Sequence, residues 1–322
     1  MKVHILDDWF DTLRGLPCFA KLAEHDVTVW TDHEPDPAGL AERVKDAQAL
    51  VLFRERTKIG ADLLTHLPRL KLISQRSVYP HVDVAACTAN GVLLSSNMHA
   101  GAPSYAAAEH TLALILASYR QIPQQTESLK SGAWQSGVGR TLRGRVLGLY
   151  GNGRIAGAVA EYAKALGMRV QYWGSQAGRE RAIAAGETVP ESRAAFFASS
   201  DIVSLHVRLK PETRGIITAA DLAAMAPRAL LVNTSRSGLI APGMLESEIQ
   251  RGRIHAAVDV FDQEPLHDVG HVLLTHPNVI ATPHIGYVTE DEFDLQFSDI
   301  FDQINAYAAG APIHMINPDV WS

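Results

Sequence analysis

In the run Arg145-Val-Leu-Gly-Leu-Tyr-Gly-Asn-Gly-Arg-Ile-Ala-Gly-Ala-Val-Ala160, Gly151 and Gly153 directly follow an apolar strand-like stretch and open a helix-like one. That order suits a dinucleotide. Gly151 permits the tight turn, Gly153 lets the backbone approach a pyrophosphate, and the amides at the helix start point at its charge. Ala156 stands where only close helix–strand packing is needed. A plain tight turn has the same local sequence, so other residues must decide. Sites for NAD place an acid at the end of the second strand, on the ribose 2′-hydroxyl. Here Met168-Arg-Val-Gln-Tyr-Trp173 ends in Gly174-Ser175-Gln176, and the acid is missing. Gly174 and Ser175 would admit a 2′-phosphate that Arg179 or Arg181 would reach, although the preferred reading of both arginines is a solvated helix face. The choice between NAD(H) and NADP(H) stays open.

Three further segments fall at successive ends of predicted strands, the edge at which open α/β sheets bind ligands. They are Leu231-Val-Asn-Thr-Ser-Arg236-Ser-Gly, Ala257-Val-Asp259-Val-Phe-Asp-Gln-Glu264-Pro265 and Ala281-Thr-Pro-His284-Ile-Gly286. Taken singly, His284 reads as a satisfied loop histidine, Glu264 as a cap or surface acid, and Arg236 as a solvated charge. Their coincidence with the glycine turn outweighs those readings.

The elements that must position them alternate between short apolar runs and segments of helical period, the signature of parallel strands joined by crossover helices. Strands are predicted at 2–6, 27–30, 49–53, 70–74 and 92–95, then at 146–150, 169–173, 202–206, 229–233, 256–260 and 279–281. The pattern breaks at Ala100-Gly-Ala-Pro-Ser104, where Pro103 and Ser104 supply helix-start chemistry for Tyr105 to Gln121. The last helical segment, Asp291 to Tyr307, is expected to pack back on the first domain. The fold class is therefore α/β: two doubly wound parallel-sheet domains.

At this point the chain resembles the D-isomer-specific 2-hydroxyacid dehydrogenase family, through Gly151-x-Gly-Arg-Ile, Asn233-Thr-Ser-Arg-Ser-Gly, Asp-Val-Phe-x-x-Glu-Pro and Thr-Pro-His-Ile-Gly, in order and at family-like spacing. The resemblance implies a Rossmann nucleotide-binding domain, residues 99–288, inserted into a flavodoxin-like substrate domain, residues 1–98 and 289–322. It places the substrate arginine at Arg236, the acid–base histidine at His284, its supporting glutamate at Glu264 and a nicotinamide-carboxamide contact at Asp259. For Asp259 a bond to its own loop is the other reading. Further cofactor contacts are implied at Gly151, Gly153, Arg154, Ile155, Gly174, Ser175, His206, Thr234 and Gly286. The chemistry suits each type: a planar guanidinium grips a carboxylate and polarises the neighbouring carbonyl, while imidazolium is the side chain whose pKa sits near neutral. A carboxylate on the far ring nitrogen orients the imidazole and favours its charged form. The activity implied is interconversion of a small 2-keto acid and its D-2-hydroxy acid, with the two domains closing to exclude water. The alternative is a cofactor-sensing regulatory protein of the same fold, which would have no need of a paired histidine and glutamate.

The family's glycine-rich substrate loop corresponds to Ile73-Ser-Gln-Arg-Ser-Val-Tyr-Pro-His-Val-Asp83, which lacks glycine; Ser77 and Val78 are assigned amide contacts with substrate, or belong to a plain loop. Formate oxidation is a poor fit, since no glutamine precedes His284 between Leu274 and Pro283. His267 and His271 have the spacing of a helical ligand pair, but Pro265, Gly270 and the want of a third ligand favour a loop, so no metal is expected. Glu109 and His110 either face the cleft or, as the preferred reading, pack their helix, which in the family joins a dimer interface together with an arm bearing Trp134; a homodimer is expected.

Composition bounds the rest. With 29 Lys plus Arg against 35 Asp plus Glu, a net charge of −6 offers no long-range attraction to nucleic acid. No apolar run reaches the roughly 20 residues of a membrane span. Two cysteines, and a start that runs from Met1 straight into Asp7-Asp8 without a leader, lead to the expectation of a reducing cytoplasm.

Overall fold

A computed structural model describes residues 1–98 and 104–321. The expected domain crossing at Ala100 to Ser104 lies, but for Ser104, outside the described residues. The chain divides into two compact units, Met1–Ser104 with Val288–Ser322, and Tyr105–Tyr287.

In the first unit, β1 (Lys2–Ile5), β2 (Asp26–Val29), β3 (Ala49–Val51), β4 (Leu72–Arg76) and β5 (Leu93–Asn97) form one parallel sheet. Its order, β2-β1-β3-β4-β5, is the flavodoxin-like one. Both faces are covered, which is why the strands read as nearly continuous apolar runs. Leu50, Ile73 and Leu94 join one core with Leu40, Leu63 and Cys87 of the crossover helices. The helix Glu290–Ala308 belongs to the same unit and buries Phe293, Phe297, Ile300, Phe301 and Ile304, spaced to make one apolar stripe. Phe53 meets Phe293 and Phe297 with ring centroids 5.0 and 4.7 Å apart, and the Ser74 hydroxyl donates to the Ile300 carbonyl.

In the second unit, β6 (Val146–Tyr150), β7 (Arg169–Trp173), β8 (Ile202–Leu205), β9 (Leu230–Asn233), β10 (His255–Val258) and β11 (Val279–Ala281) form a parallel sheet in the order β11-β10-β9-β8-β6-β7. Beyond β7, Thr188 makes a single parallel bridge to Gln171, the remnant of a seventh strand. Counting that bridge, the order is that of the doubly wound dinucleotide-binding fold, with its reversal at β6. Side chains alternate across this sheet with period two. Leu147, Leu149 and Val232 face a core shared with the helices Ala106–Arg120 and Arg154–Ala165, while Tyr150, Val203 and Leu231 face Phe196, Phe197 and Ile249. The helix Ala106–Arg120 starts one residue later than expected, and Tyr105 rather than Ser104 stands at its N-cap without a side-chain bond. Among the described residues no helix is long and apolar enough to cross a membrane.

Candidate active site

The carboxyl ends of β6, β8, β9, β10 and β11 lead into Gly151, His206, Thr234 to Arg236, Asp259, and Thr282 to His284 respectively. One sheet edge in the second unit thus collects most of the residues singled out by sequence.

At the end of β6 the backbone of Gly151 has φ +123°, and a Cβ there would lie 2.4 Å from the His206 carbonyl oxygen. No L side chain fits. Gly153 is the reverse case: a Cβ would meet nothing within 4 Å, so there is open space before the helix Arg154–Ala165, whose first turn has no side-chain cap. Exposed amides and free volume at a helix N-terminus fit a pyrophosphate. Arg154 and Ile155 are exposed on that first turn, and Ala156 is buried against the sheet. Gly151→Ala is expected to weaken nicotinamide-dinucleotide binding by at least about tenfold and to lower the melting temperature, because both the φ angle and the His206 contact forbid a methyl group. Fluorescence titration with the reduced cofactor and a thermal melt check this; unchanged values would show that the turn does not hold the dinucleotide.

His206 turns its Nε2 to the Ser204 hydroxyl at 2.9 Å, and burial pushes its pKa down to about 4. It is therefore neutral at physiological pH. At the end of β7 the Ser175 hydroxyl caps the helix Gln176–Ala184 by accepting from the Gly178 N–H. The structure separates the two arginines that follow. Arg179 lies half-buried over the Trp173 ring, 4.6 Å from its centroid, and donates to the Gly174 carbonyl, whereas Arg181 is exposed.

After β9 the buried Asn233 pins a tight turn: its amide donates to the Arg236 carbonyl at 2.9 Å, and its Oδ1 accepts from the Ser235 N–H. The Ser235 hydroxyl ties the turn to β8 through the Leu205 carbonyl. Arg236 is thus projected from a fixed base. It is half-buried and donates to the Ser235 carbonyl, and among the described residues it has no carboxylate within ion-pair distance. A guanidinium held in that state is suited to an incoming anion.

His284 and Glu264 meet directly, with Nδ1 and Oε2 2.6 Å apart. The other oxygen, Oε1, accepts from the Phe261 N–H at 2.9 Å. Burial raises the Glu264 pKa, but the His284 bond and charge, the Phe261 amide and the nearby Arg236 charge together hold it below the ordinary carboxylate value. The carboxylate is consequently ionised and only accepts, so Nδ1 carries the hydrogen and Nε2 is the nitrogen left to exchange a proton. His284 holds a left-handed backbone with φ +54°, uncommon for a residue with a side chain.

That strained loop is strapped to Asp259. The fully buried carboxylate accepts from the Thr282 hydroxyl and the Ile285 N–H at Oδ1, and from the Gly286 N–H at Oδ2. His110 Nε2 lies 3.2 Å from the same Oδ1 and 3.0 Å from the Thr282 hydroxyl. Burial pushes the Asp259 pKa up, yet these four partners outweigh it and hold it low. The carboxylate expected at the nicotinamide thus also serves its own loop. A Cβ on Gly286 would stand 3.0 Å from Asp259 Oδ2, so any larger residue there would press on the carboxylate. Thr234, expected at the cofactor, shares a hydrogen bond with Thr111 at 2.7 Å.

Ser77 and Val78 belong to the first unit. The Ser77 N–H donates to the Asn97 carbonyl at 3.0 Å and extends the β4–β5 ladder, so it is not available as the expected substrate amide. Gln75 holds the loop from below, donating to the Ser77 carbonyl and to the Ser96 hydroxyl. His271, weighed as a metal ligand, accepts instead from the Leu273 N–H as a helix cap.

Sequence reasoning missed the part played by His110 and Asn233. Asn233 was visible only as part of a motif, and a polar residue inside an Ala/Leu-rich helix gives no sign of which loop it will meet.

Comparison with known proteins points to one family. Residues 112–286 match the family model described as D-isomer specific 2-hydroxyacid dehydrogenase, NAD binding domain. The chain is 34% identical to a glyoxylate reductase of Aeropyrum pernix over 92% of its length and 91% of the relative's. It is 37% identical to a D-3-phosphoglycerate dehydrogenase of Methanocaldococcus jannaschii over 84% of its length, but spans only 52% of that protein. A crystal structure of a phosphoglycerate oxidoreductase from Vibrio cholerae superposes with a TM-score of 0.90 at 43% identity, covering 97% of this chain and all of the other.

Proposed function

Because the chain belongs to the D-isomer-specific 2-hydroxyacid dehydrogenase family, we propose that it interconverts a small 2-keto acid and the corresponding D-2-hydroxy acid. The observation that carries this reading is the 2.6 Å His284–Glu264 pair, close enough to Arg236 for its charge to act on Glu264. When bound, the nicotinamide supplies hydride to C2 of the keto acid, or accepts it in the reverse direction. Arg236 binds the substrate carboxylate and polarises its carbonyl. His284 gives a proton from Nε2 to the oxygen that develops negative charge, and takes one back from the hydroxyl in the reverse direction. Glu264 holds the ring through Nδ1 and so fixes Nε2 as the nitrogen turned to the substrate. Asp259 fixes the loop from which the imidazole projects.

The dinucleotide is held at Gly151, Gly153 and the first turn of Arg154–Ala165, with His206, Thr234 and Gly286 shaping the same edge. NADP(H) is accepted alongside NAD(H): no acid stands at Gly174-Ser175 to repel a 2′-phosphate, and Arg179 is held over the end of β7. A second copy of the chain covers the helix Ile122–Lys130, which buries none of its residues, and the arm beyond it, where Trp134 is 76% and Val138 84% exposed.

The test follows absorbance of NADH and NADPH in parallel with glyoxylate, hydroxypyruvate, pyruvate and bulkier keto acids. The expected result is loss of absorbance with at least one acid, and turnover with NADPH at least equal to that with NADH. Binding of cofactor without oxidation by any acid would favour the sensing protein instead.

A further inference from the structure

The two halves of the candidate site are braced by consecutive residues of one helix. His110 and Thr111 lie on Ala106–Arg120; the first reaches the loop that carries His284 and the second reaches the turn that carries Arg236. Proton accounting makes both bonds directional. The Thr282 hydroxyl hydrogen is engaged by Asp259 at 2.6 Å, so Thr282 Oγ1 and Asp259 Oδ1 both face His110 as acceptors. Nε2 of His110 must therefore carry a hydrogen, shared between them. Thr111 donates its hydroxyl hydrogen to the Ala107 carbonyl at 2.7 Å, which accepts only. The bond to Thr234 is consequently donated by Thr234 and accepted by Thr111. The helix also lies against the loop itself, since a Cβ on Gly286 would come 3.6 Å from His110 Cδ2 and 3.9 Å from Ala107 Cα.

We propose that His110 and Thr111 are positioning residues that set the spacing between the proton-transfer imidazole and the substrate-binding guanidinium. The inference rests on the dehydrogenase reading. His110 acts through Asp259 and Thr282 on the left-handed loop at His284, and so governs the chemical step. Thr111 acts through Thr234, two residues before Arg236, and so governs capture of the keto acid. Neither is assigned any contact with substrate.

The experiment compares His110→Leu, His110→Gln and Thr111→Val in the full chain. His110→Leu is expected to lower kcat about 10- to 100-fold at saturating cofactor, with KM for the keto acid nearly unchanged, the scale of a misplaced reacting group. Gln places a donor near the position of Nε2 and should restore most of the loss. Thr111→Val should raise KM for the keto acid by about tenfold and spare kcat. A general loss of stability would not separate kcat from KM between neighbouring residues. A second measurement needs no turnover: the low-field proton of the His284–Glu264 bond, observed by NMR, should shift or broaden in His110→Leu and keep its position in His110→Gln and Thr111→Val. Should the parent fail to turn over any keto acid, the dehydrogenase reading falls and this resonance alone judges the brace. Parent-like kcat and an unmoved resonance in His110→Leu, or no rescue by Gln, would overturn the proposal.

Discussion

Replacing His284 with alanine is expected to lower kcat/KM by about 10²- to 10⁴-fold while leaving cofactor affinity unchanged. The reason lies in the proposed proton exchange with the substrate: Nδ1 is committed to Glu264 at 2.6 Å, which leaves Nε2 for the reacting oxygen. The loop should survive its loss, because the straps to Asp259 are made by Thr282, Ile285 and Gly286 rather than by His284. Alanine also tolerates a left-handed φ poorly, so a thermal melt accompanies the kinetics and separates lost chemistry from lost fold. Steady-state kinetics and fluorescence titration with NADPH decide the matter. Normal turnover in the variant would remove His284 from the mechanism.

Arg236→Lys is expected to cost about 10²- to 10³-fold in kcat/KM although the charge is kept, the scale of losing one oriented donor at a developing oxyanion. The reason is geometric. Asn233 and Ser235 fix the turn beneath Arg236, and a planar fork in a fixed place can hold a carboxylate and its neighbouring carbonyl together. An ammonium offers a point charge without that fork. The melting temperature should scarcely change, since the guanidinium has no carboxylate partner among the described residues. Retention of kcat/KM by the lysine variant would mean that charge alone matters at this position. Loss in alanine and lysine alike supports the bidentate grip.

How much of this was legible in the sequence differs from level to level. The strands were readable because both faces of each sheet are buried, and buried parallel strands must be apolar along their whole length; Val146 to Tyr150 and Arg169 to Trp173 match residue for residue. The outer strand at Thr188 was not readable, since it survives as one bridge with no apolar run. The ends of strands told where a ligand edge lies, and the types Arg, Glu and His told what that edge could do. Side-chain partnership was less visible. Asp259 has the same sequence context whether or not it binds its own loop; only the fold brings Thr282, Ile285, Gly286 and His110 together on its carboxylate. Ser77 likewise looked like a free loop amide, because nothing in its neighbourhood shows that β5 extends far enough for the Asn97 carbonyl to meet it. His110 lies 149 residues before Asp259 in the chain, and only the folded sheet makes them neighbours.

The most direct test of the central claim uses reduced cofactor dideuterated at C4 of the nicotinamide, with hydroxypyruvate as substrate. Hydride transfer with proton donation from His284 should give D-glycerate bearing one deuterium on C2, formed by the parent and lost with His284→Ala. Glycerate of the L configuration, or product without deuterium at C2, would contradict it.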